Sequence, residues 1–326
     1  MLLEVRGLRV ALPGPRGPVT VVDGISFEVP EGLVFGLAGE SGSGKTMTAL
    51  ALMGLLPKDA MVEGTARLEG TDLLHLGRRA LSEVRGRQVA MVFQDPMTSL
   101  HPMLTVERQL TEHVRFHLGL SGAGARQRAA ELLTEVRIPD PEAALGAYPH
   151  QFSGGMRQRI AIAIALACGP RLLVADEPTT ALDVTVQAGI LGLLDRLRRT
   201  QALGVILITH DLGVMSAVAD RVTVMYAGVV VESGAREQIL RRPRHPYTRG
   251  LMDSLPHPED RADQPLRPIL GTPPSALERP GGCAFHPRCR FAQASCRIEV
   301  PDLLMLEDGR RLACPVDPLA AAVAAS

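Results

Sequence analysis

The chain has 326 residues and 34.9 kDa, and its 35 Lys+Arg against 35 Asp+Glu give a formal net charge of zero. That balance argues against a generally basic nucleic-acid binder and against a polybasic membrane-surface protein. A content of 46% hydrophobic and 21% charged residues fits a globular chain with a real core, while seven Phe, three Tyr and no Trp disfavour a stacking platform for single-stranded nucleic acid.

The opening MLLEVRGLRV carries Glu4 where a secretory signal needs a basic region and an apolar core, so it reads as a first strand. The Pro/Gly-rich turn 13–18 separates it from VTVV and ISFEV, and LVFGLAG at 33–39 reads as a strand buried on both faces. A Gly-rich loop and a helix from about Lys45 to Leu55 follow. Further buried strands are expected at 88–94, 171–176, 204–210 and 221–226, with helices at 184–200 and 211–219, which is a layered α/β pattern. Between Phe93 and Arg171 only helices are expected, at 105–118, 125–137 and 154–168. The run IAIAIALACG at 160–169 is far short of the ~20 apolar residues of a membrane span and reads as a buried helix. VVVESG at 229–234 and a short helix at 235–241 close the core, and ten prolines between 242 and 290 preclude long helices and interior strands there. LAAAVAAS reads as a frayed tail.

Lysine occurs only at positions 45 and 58, and Lys45 lies in Gly39-Glu40-Ser41-Gly42-Ser43-Gly44-Lys45-Thr46. Strand, Gly-rich turn and helix are the context a phosphate loop requires: successive backbone N–H groups and the helix start face the phosphates. Lys45 would reach the β- and γ-phosphates, and the Thr46 hydroxyl would ligate Mg²⁺. LLVADE at 172–177 supplies the matching acids, with Asp176 directed to Mg²⁺ and Glu177 to the attacking water. The bland reading of Glu177, an acid at a strand end, is weakened by two adjacent acids closing a buried strand before Pro178.

These motifs, in this order, resemble the ATP-binding subunits of ABC transporters over roughly residues 1–240. Ser153-Gly154-Gly155-Met156-Arg157-Gln158-Arg159, preceded by Tyr148-Pro149-His150-Gln151-Phe152, is similar to the family signature. Gln94 matches the glutamine loop, Ala181-Leu182-Asp183 the D-loop, and His210 the switch histidine. The resemblance implies an α/β P-loop NTPase of ABC type with an all-helical subdomain at about 95–169. It also implies a head-to-tail dimer in which Ser153, Gly154 and Gly155 of one subunit close the ATP site of the other. Gln94 would sense Mg²⁺ and water, His210 would hold the γ-phosphate, and Asp183 would signal across the dimer. The adenine-stacking aromatic of the family is missing; its nearest match is Leu12, with Val19 beside it.

The segments HPYTRG, GTPP and GCAFHPRC resemble the tail of the oligopeptide/dipeptide/nickel importers. A division into a nucleotide-binding domain 1–241 and a small Cys/Pro-rich appendage 242–326 is therefore expected. Four of five cysteines lie there, Cys283, Cys289, Cys296 and Cys314, while Cys168 sits alone in an apolar helix. Their spacing says only that four thiolates are available; the resemblance implies a [4Fe–4S] cluster, with zinc or no metal as alternatives. ATP and Mg²⁺ are the other expected ligands. The implied partners are a paralogous ATPase (favoured over a second copy), two permeases and an external binding protein, with no nucleic acid, on the cytoplasmic face of the cell membrane. Oligopeptides or dipeptides are the expected cargo, with nickel, glutathione or oligosaccharides as alternatives. A DNA-repair ATPase shares the nucleotide motifs, but the 107 residues between Lys45 and Ser153 leave no room for a long coiled-coil insertion.

Overall fold

The computed structural model describes residues 1–95, 99–180, 182–255 and 268–317. Ala181, part of FQDPMTSL, part of LPHP and the LAAAVAAS tail lie outside the described residues.

Two sheets are built. Strands β1 (Leu3–Leu12), β2 (Val19–Val29), β4 (Met61–Leu68) and β5 (Thr71–Asp72) form an antiparallel sheet in the order β2-β1-β4-β5. The main sheet begins with β3 (Val34–Ala38), which pairs in parallel with β8 (Gly204–Thr209) and β9 (Arg221–Tyr226). Beyond β8 lie β7 (Leu172–Asp176) and β6 (Val89–Val92), also parallel. Beyond β9 lies antiparallel β10 (Val229–Ala235), followed by β12 (Arg311–Leu312) and β11 (Leu304–Met305).

The central strands are apolar because both of their faces are covered. Leu172, Val174, Ile206 and Ile208 pack with Leu3, Phe27, Leu37 and Leu52 under the antiparallel sheet. Their neighbours Leu173, Ala175, Val205 and Leu207 pack oppositely with Leu110, Leu132, Ile160 and Leu194. Each such side chain contributes roughly 1.5–3 kcal/mol relative to exposure.

Helix α1 (Lys45–Leu52) follows β3, and α2 (Arg78–Val84) precedes β6. The inserted segment holds α3 (Val106–Leu118), α4 (Gly122–Glu135), α5 (Pro141–Gly146) and α6 (Gly154–Leu166), with no strand among its described residues. Hydroxyl caps start three of these helices: Thr105 accepts from the Arg108 N–H, Ser121 from Gly124 and Ser153 from Met156. The core closes with α7 (Val184–Gln201), α8 (Leu212–Val218) and α9 (Arg236–Arg241). No helix among the described residues is long and apolar enough to cross a membrane.

The Pro-rich region still admits a short helix, α10 (Pro246–Asp253), because Pro246 occupies its first turn and His245 Nδ1 accepts the Tyr247 N–H. The cysteine-bearing tail is fastened to the main unit: Phe285 and Ala284 enter the core, and β12 lengthens the main sheet beside β10. From the turn between β11 and β12, Arg310, 1% exposed, meets Glu232 of β10, 0% exposed, at 3.2 Å. Glu232 also accepts the Arg244 and His245 N–H groups. Replacing Arg310 with Met strands this buried carboxylate, and we expect a loss of about 3–5 kcal/mol, read as a lowered denaturation midpoint. An unchanged midpoint would mean that the ion pair does not hold the tail.

Candidate nucleotide site

The loop 39–46 leaves the end of β3 and enters α1, so a strand buried along its whole length aims it. Gly39 (φ 147°) and Gly44 (φ 100°) hold conformations that side chains avoid, and both press against neighbouring backbone. A Cβ on Gly39 would come 2.2 Å from the Met225 carbonyl, and one on Gly44 2.8 Å from that of Val21. Lys45 is buried inside the loop, its Nζ donating to the Gly39 carbonyl (2.7 Å), the Glu40 carbonyl (2.9 Å) and Ser43 Oγ (3.2 Å). Burial pulls its pKa down, and the carboxylates of Glu177, Asp176 and Glu40 partly oppose this.

Asp176 ends β7 beside the loop, where Thr46 Oγ1 donates to its Oδ1 at 3.4 Å. Burial raises its pKa against the Thr46 bond, and neighbouring Glu177 adds to the rise. A buried carboxylate and a hydroxyl side by side are a donor set suited to Mg²⁺.

Glu177 sits in the left-handed region at φ 46°, its N–H donating to the Ile208 carbonyl at 2.8 Å. Gln94 Nε2 donates to one carboxylate oxygen (3.1 Å), as does Thr180 Oγ1 (2.8 Å), and His210 Nδ1 lies 2.9 Å from the other. Burial would lift this carboxyl, but the His210 and Thr180 hydrogen bonds outweigh it and hold it below its ordinary range. Three sequence-predicted residues from three separate segments thus converge, and Thr180 joins them without having been singled out.

The signature Ser153, Gly154 and Gly155 forms the start of α6. Gly155 is required by close packing: a Cβ there would lie 2.5 Å from Val186 Cγ1. Asp183 caps α7, its Oδ1 accepting the Val186 N–H at 2.9 Å, and the adjoining Val184 is 82% exposed. Among the described residues no hydrogen bond joins Ser153 or Asp183 to the phosphate loop of the same chain. Leu12 lies half-buried at the end of β1, opposite Val19 across the strand pair.

The ABC transporter family model matches residues 22–180, and that of the oligopeptide/dipeptide transporter C-terminal region matches 231–296. The oligopeptide transport ATP-binding protein OppD of Haemophilus influenzae is 47% identical over 313 residues, covering 96% of each chain. The dipeptide transport ATP-binding protein DppD of Escherichia coli is 46% identical over 320 residues, covering 97% of each. The chain belongs to the ATP-hydrolysing subunits of oligopeptide/dipeptide ABC importers. Among solved structures, the dimeric cassette MJ0796 superposes with a TM-score of 0.65 at 26% identity, covering 72% of this chain and 99% of that one. Its ADP- and phosphate-bound dimer matches similarly, with a TM-score of 0.64 at 27% identity and 72% and 99% coverage. This member of the family is an ABC-type ATPase with the mixed α/β cassette fold.

One expectation fails. Among the described residues no group of three or more His, Cys, Asp or Glu side chains is arranged to hold a metal ion, so the [4Fe–4S] cluster expected at Cys283, Cys289, Cys296 and Cys314, and its zinc alternative, are overturned. All four are free thiols. Burial pushes Cys283 up to about 11, and Cys289 and Cys314 also rise through burial, reinforced by mutual repulsion. The cluster was implied by the resemblance alone; four cysteines in one short stretch carry no information about their arrangement in the fold.

Sequence reasoning also missed a contact to the loop from the far end of the chain. Arg288 grips the Glu40 carboxylate with both guanidinium nitrogens, at 2.7 and 3.1 Å, and Tyr247 Oη accepts the Glu40 N–H at 2.8 Å. Arg288 and Tyr247 stand in the family-like tail, but no local pattern marks a pairing across 248 positions.

Proposed function

We propose that this subunit hydrolyses ATP at a site built from residues 39–46, Asp176, Glu177, Gln94 and His210, and that the reaction drives peptide import. The observation that carries this is the convergence of Gln94, Thr180 and His210 on Glu177 at the end of the strand beside the phosphate loop. Glu177 is the base that takes a proton from the attacking water, His210 orients it and supports the γ-phosphate, and Gln94 positions the water. Lys45 and the N–H groups of 41–46 cradle the phosphates, with Gly39, Glu40 and Gly44 shaping the turn. Asp176, Thr46 and Gln94 hold Mg²⁺, which when bound neutralises phosphate oxygens. Leu12 and Val19 give adenine an apolar wall.

Ser153, Gly154, Gly155 and Asp183 act on the ATP of a partner subunit, favoured as a paralogue over a second copy. Exposed Val184 and the start of α6 support this, as does similarity to a cassette that is itself a dimer. The permeases dock at the inserted helices about 95–169. An apolar cavity of about 280 Å³ lined by Phe93, Leu100, His113 and Ile164 supports that placement, as do exposed Met103 and Phe116. Residues 242–326 form an importer-type extension of the nucleotide-binding unit 1–241. Bound to the permeases, the chain works peripherally on the cytoplasmic membrane face, and an external binding protein selects the cargo. The relatives named above are ATP-binding proteins of oligopeptide and dipeptide transport, which supports peptides over nickel, glutathione, oligosaccharides or a role in DNA repair. Copurification with two multi-span permeases and ATPase activity stimulated by the peptide-loaded binding protein test the reading. DNA-stimulated ATPase activity without permease association would overturn it.

A further inference from the structure

Every polar group of Glu40, the second residue of the phosphate loop, is engaged. Its carbonyl accepts from Lys45 Nζ (2.9 Å), its N–H donates to Tyr247 Oη (2.8 Å), and its carboxylate receives both prongs of Arg288. Arg288 is fixed as firmly as its partner. Its side chain is 5% exposed, it lies 5.8 Å from the Tyr226 ring centre and 6.0 Å from that of Phe285, and it donates to Tyr226 Oη at 3.3 Å. Tyr226, Tyr247 and Phe285 pack on one another with ring centres 4.6–5.3 Å apart, joining the end of β9, α10 and the tail.

An acidic side chain in a loop that must hold a polyphosphate is an electrostatic contradiction. A free Glu40 carboxylate would repel the phosphates and attract Lys45 away from them. A buried, two-pronged arginine cancels that charge and fixes its direction. We infer that Arg288 is a positioning residue for the ATP site: by neutralising Glu40 and, with Tyr247, clamping it, the C-terminal region sets the affinity of the phosphate loop for ATP. The inference rests on the loop being the ATP site, as proposed above. It gives the tail a direct hold on nucleotide binding from outside the 22–180 segment matched to the general cassette.

The test is a Mg-ATP titration of the full chain, with steady-state ATPase kinetics in parallel. Arg288→Met should weaken ATP binding about tenfold, the equivalent of about 1.4 kcal/mol. The loss should appear in KM with kcat little changed. Adding Glu40→Gln to Arg288→Met should restore most of the lost affinity, because the uncompensated carboxylate is then gone. A merely structural arginine would give no such rescue. Arg288→Lys keeps the charge without the fork; it should show a smaller loss with the same rescue, and it decides the question if Arg288→Met does not fold. Unchanged affinity in the arginine variants, or failure of Glu40→Gln to rescue them, overturns the inference. A Lys45→Ala control separates the two levels: normal ATP binding there removes the loop assignment itself. Lost binding there beside a normal Arg288→Met removes only the role of the tail.

Discussion

Glu177→Gln should bind ATP as the native chain does and turn it over ~10²–10⁴-fold more slowly, the usual contribution of a positioned general base. Glutamine keeps the length and planarity of the side chain, and its carbonyl oxygen can still accept one of the hydrogen bonds now given by Gln94, Thr180 and His210. It cannot take a proton. Because the base is lost while the phosphate cradle is untouched, the variant should accumulate an ATP-bound closed dimer. Nucleotide-dependent dimerisation measured by size exclusion, beside phosphate release, reads both effects. Near-native phosphate release would remove Glu177 from the base role. The pH dependence follows from the same contacts. A base must be deprotonated to act, and the His210 and Thr180 bonds hold Glu177 below the ordinary carboxylate range despite its burial. The acidic limb of the native rate profile should therefore fall below the ~4.3 expected of an unperturbed glutamate. His210→Ala should move that limb upward as its hydrogen bond is lost.

How much of this was legible beforehand depended on whether the signal was local. LVFGLAG and LLVAD announced themselves as central strands because burial on both faces demands uninterrupted apolar runs, and their ends carry the loop and the acids. Three helices of the insertion were read to within a few residues, since apolar spacing is written in adjacent positions, but the short helix Pro141–Gly146 was not assigned. Strand β4 was not assigned, because MVEGTARL is half-exposed and broken by Gly64. The hairpin at 304–312 was also missed: its two-residue strands owe their existence to the edge of β10. The cysteines misled for a related reason. A count of thiols in sequence is local, whereas their desolvation and arrangement belong to the folded tail. The same tail hid its grip on Glu40, because a pair 248 residues apart leaves no periodic or motif signature.

Lys45→Ala should have the opposite signature to Glu177→Gln: ATP affinity lost first, with turnover failing only because the substrate is absent. The Lys45 amine is 2.7 to 3.2 Å from three loop oxygens, so it already stands inside the cradle and needs only to exchange those partners for phosphate oxygens. Removing a charged donor costs about 1.5–3 kcal/mol, or roughly 10- to 100-fold in affinity. The other lysine, Lys58, lies outside the loop and among the bonds described makes none to it. Loss of the cation also leaves Asp176 and Glu177 without a counter-charge that now lowers both their pKa values. Unchanged ATP affinity with the fold intact would be incompatible with residues 39–46 as the phosphate loop. If Lys45→Ala instead kept binding and lost only turnover, while Glu177→Gln lost binding, the two halves of the site would have been assigned the wrong way round.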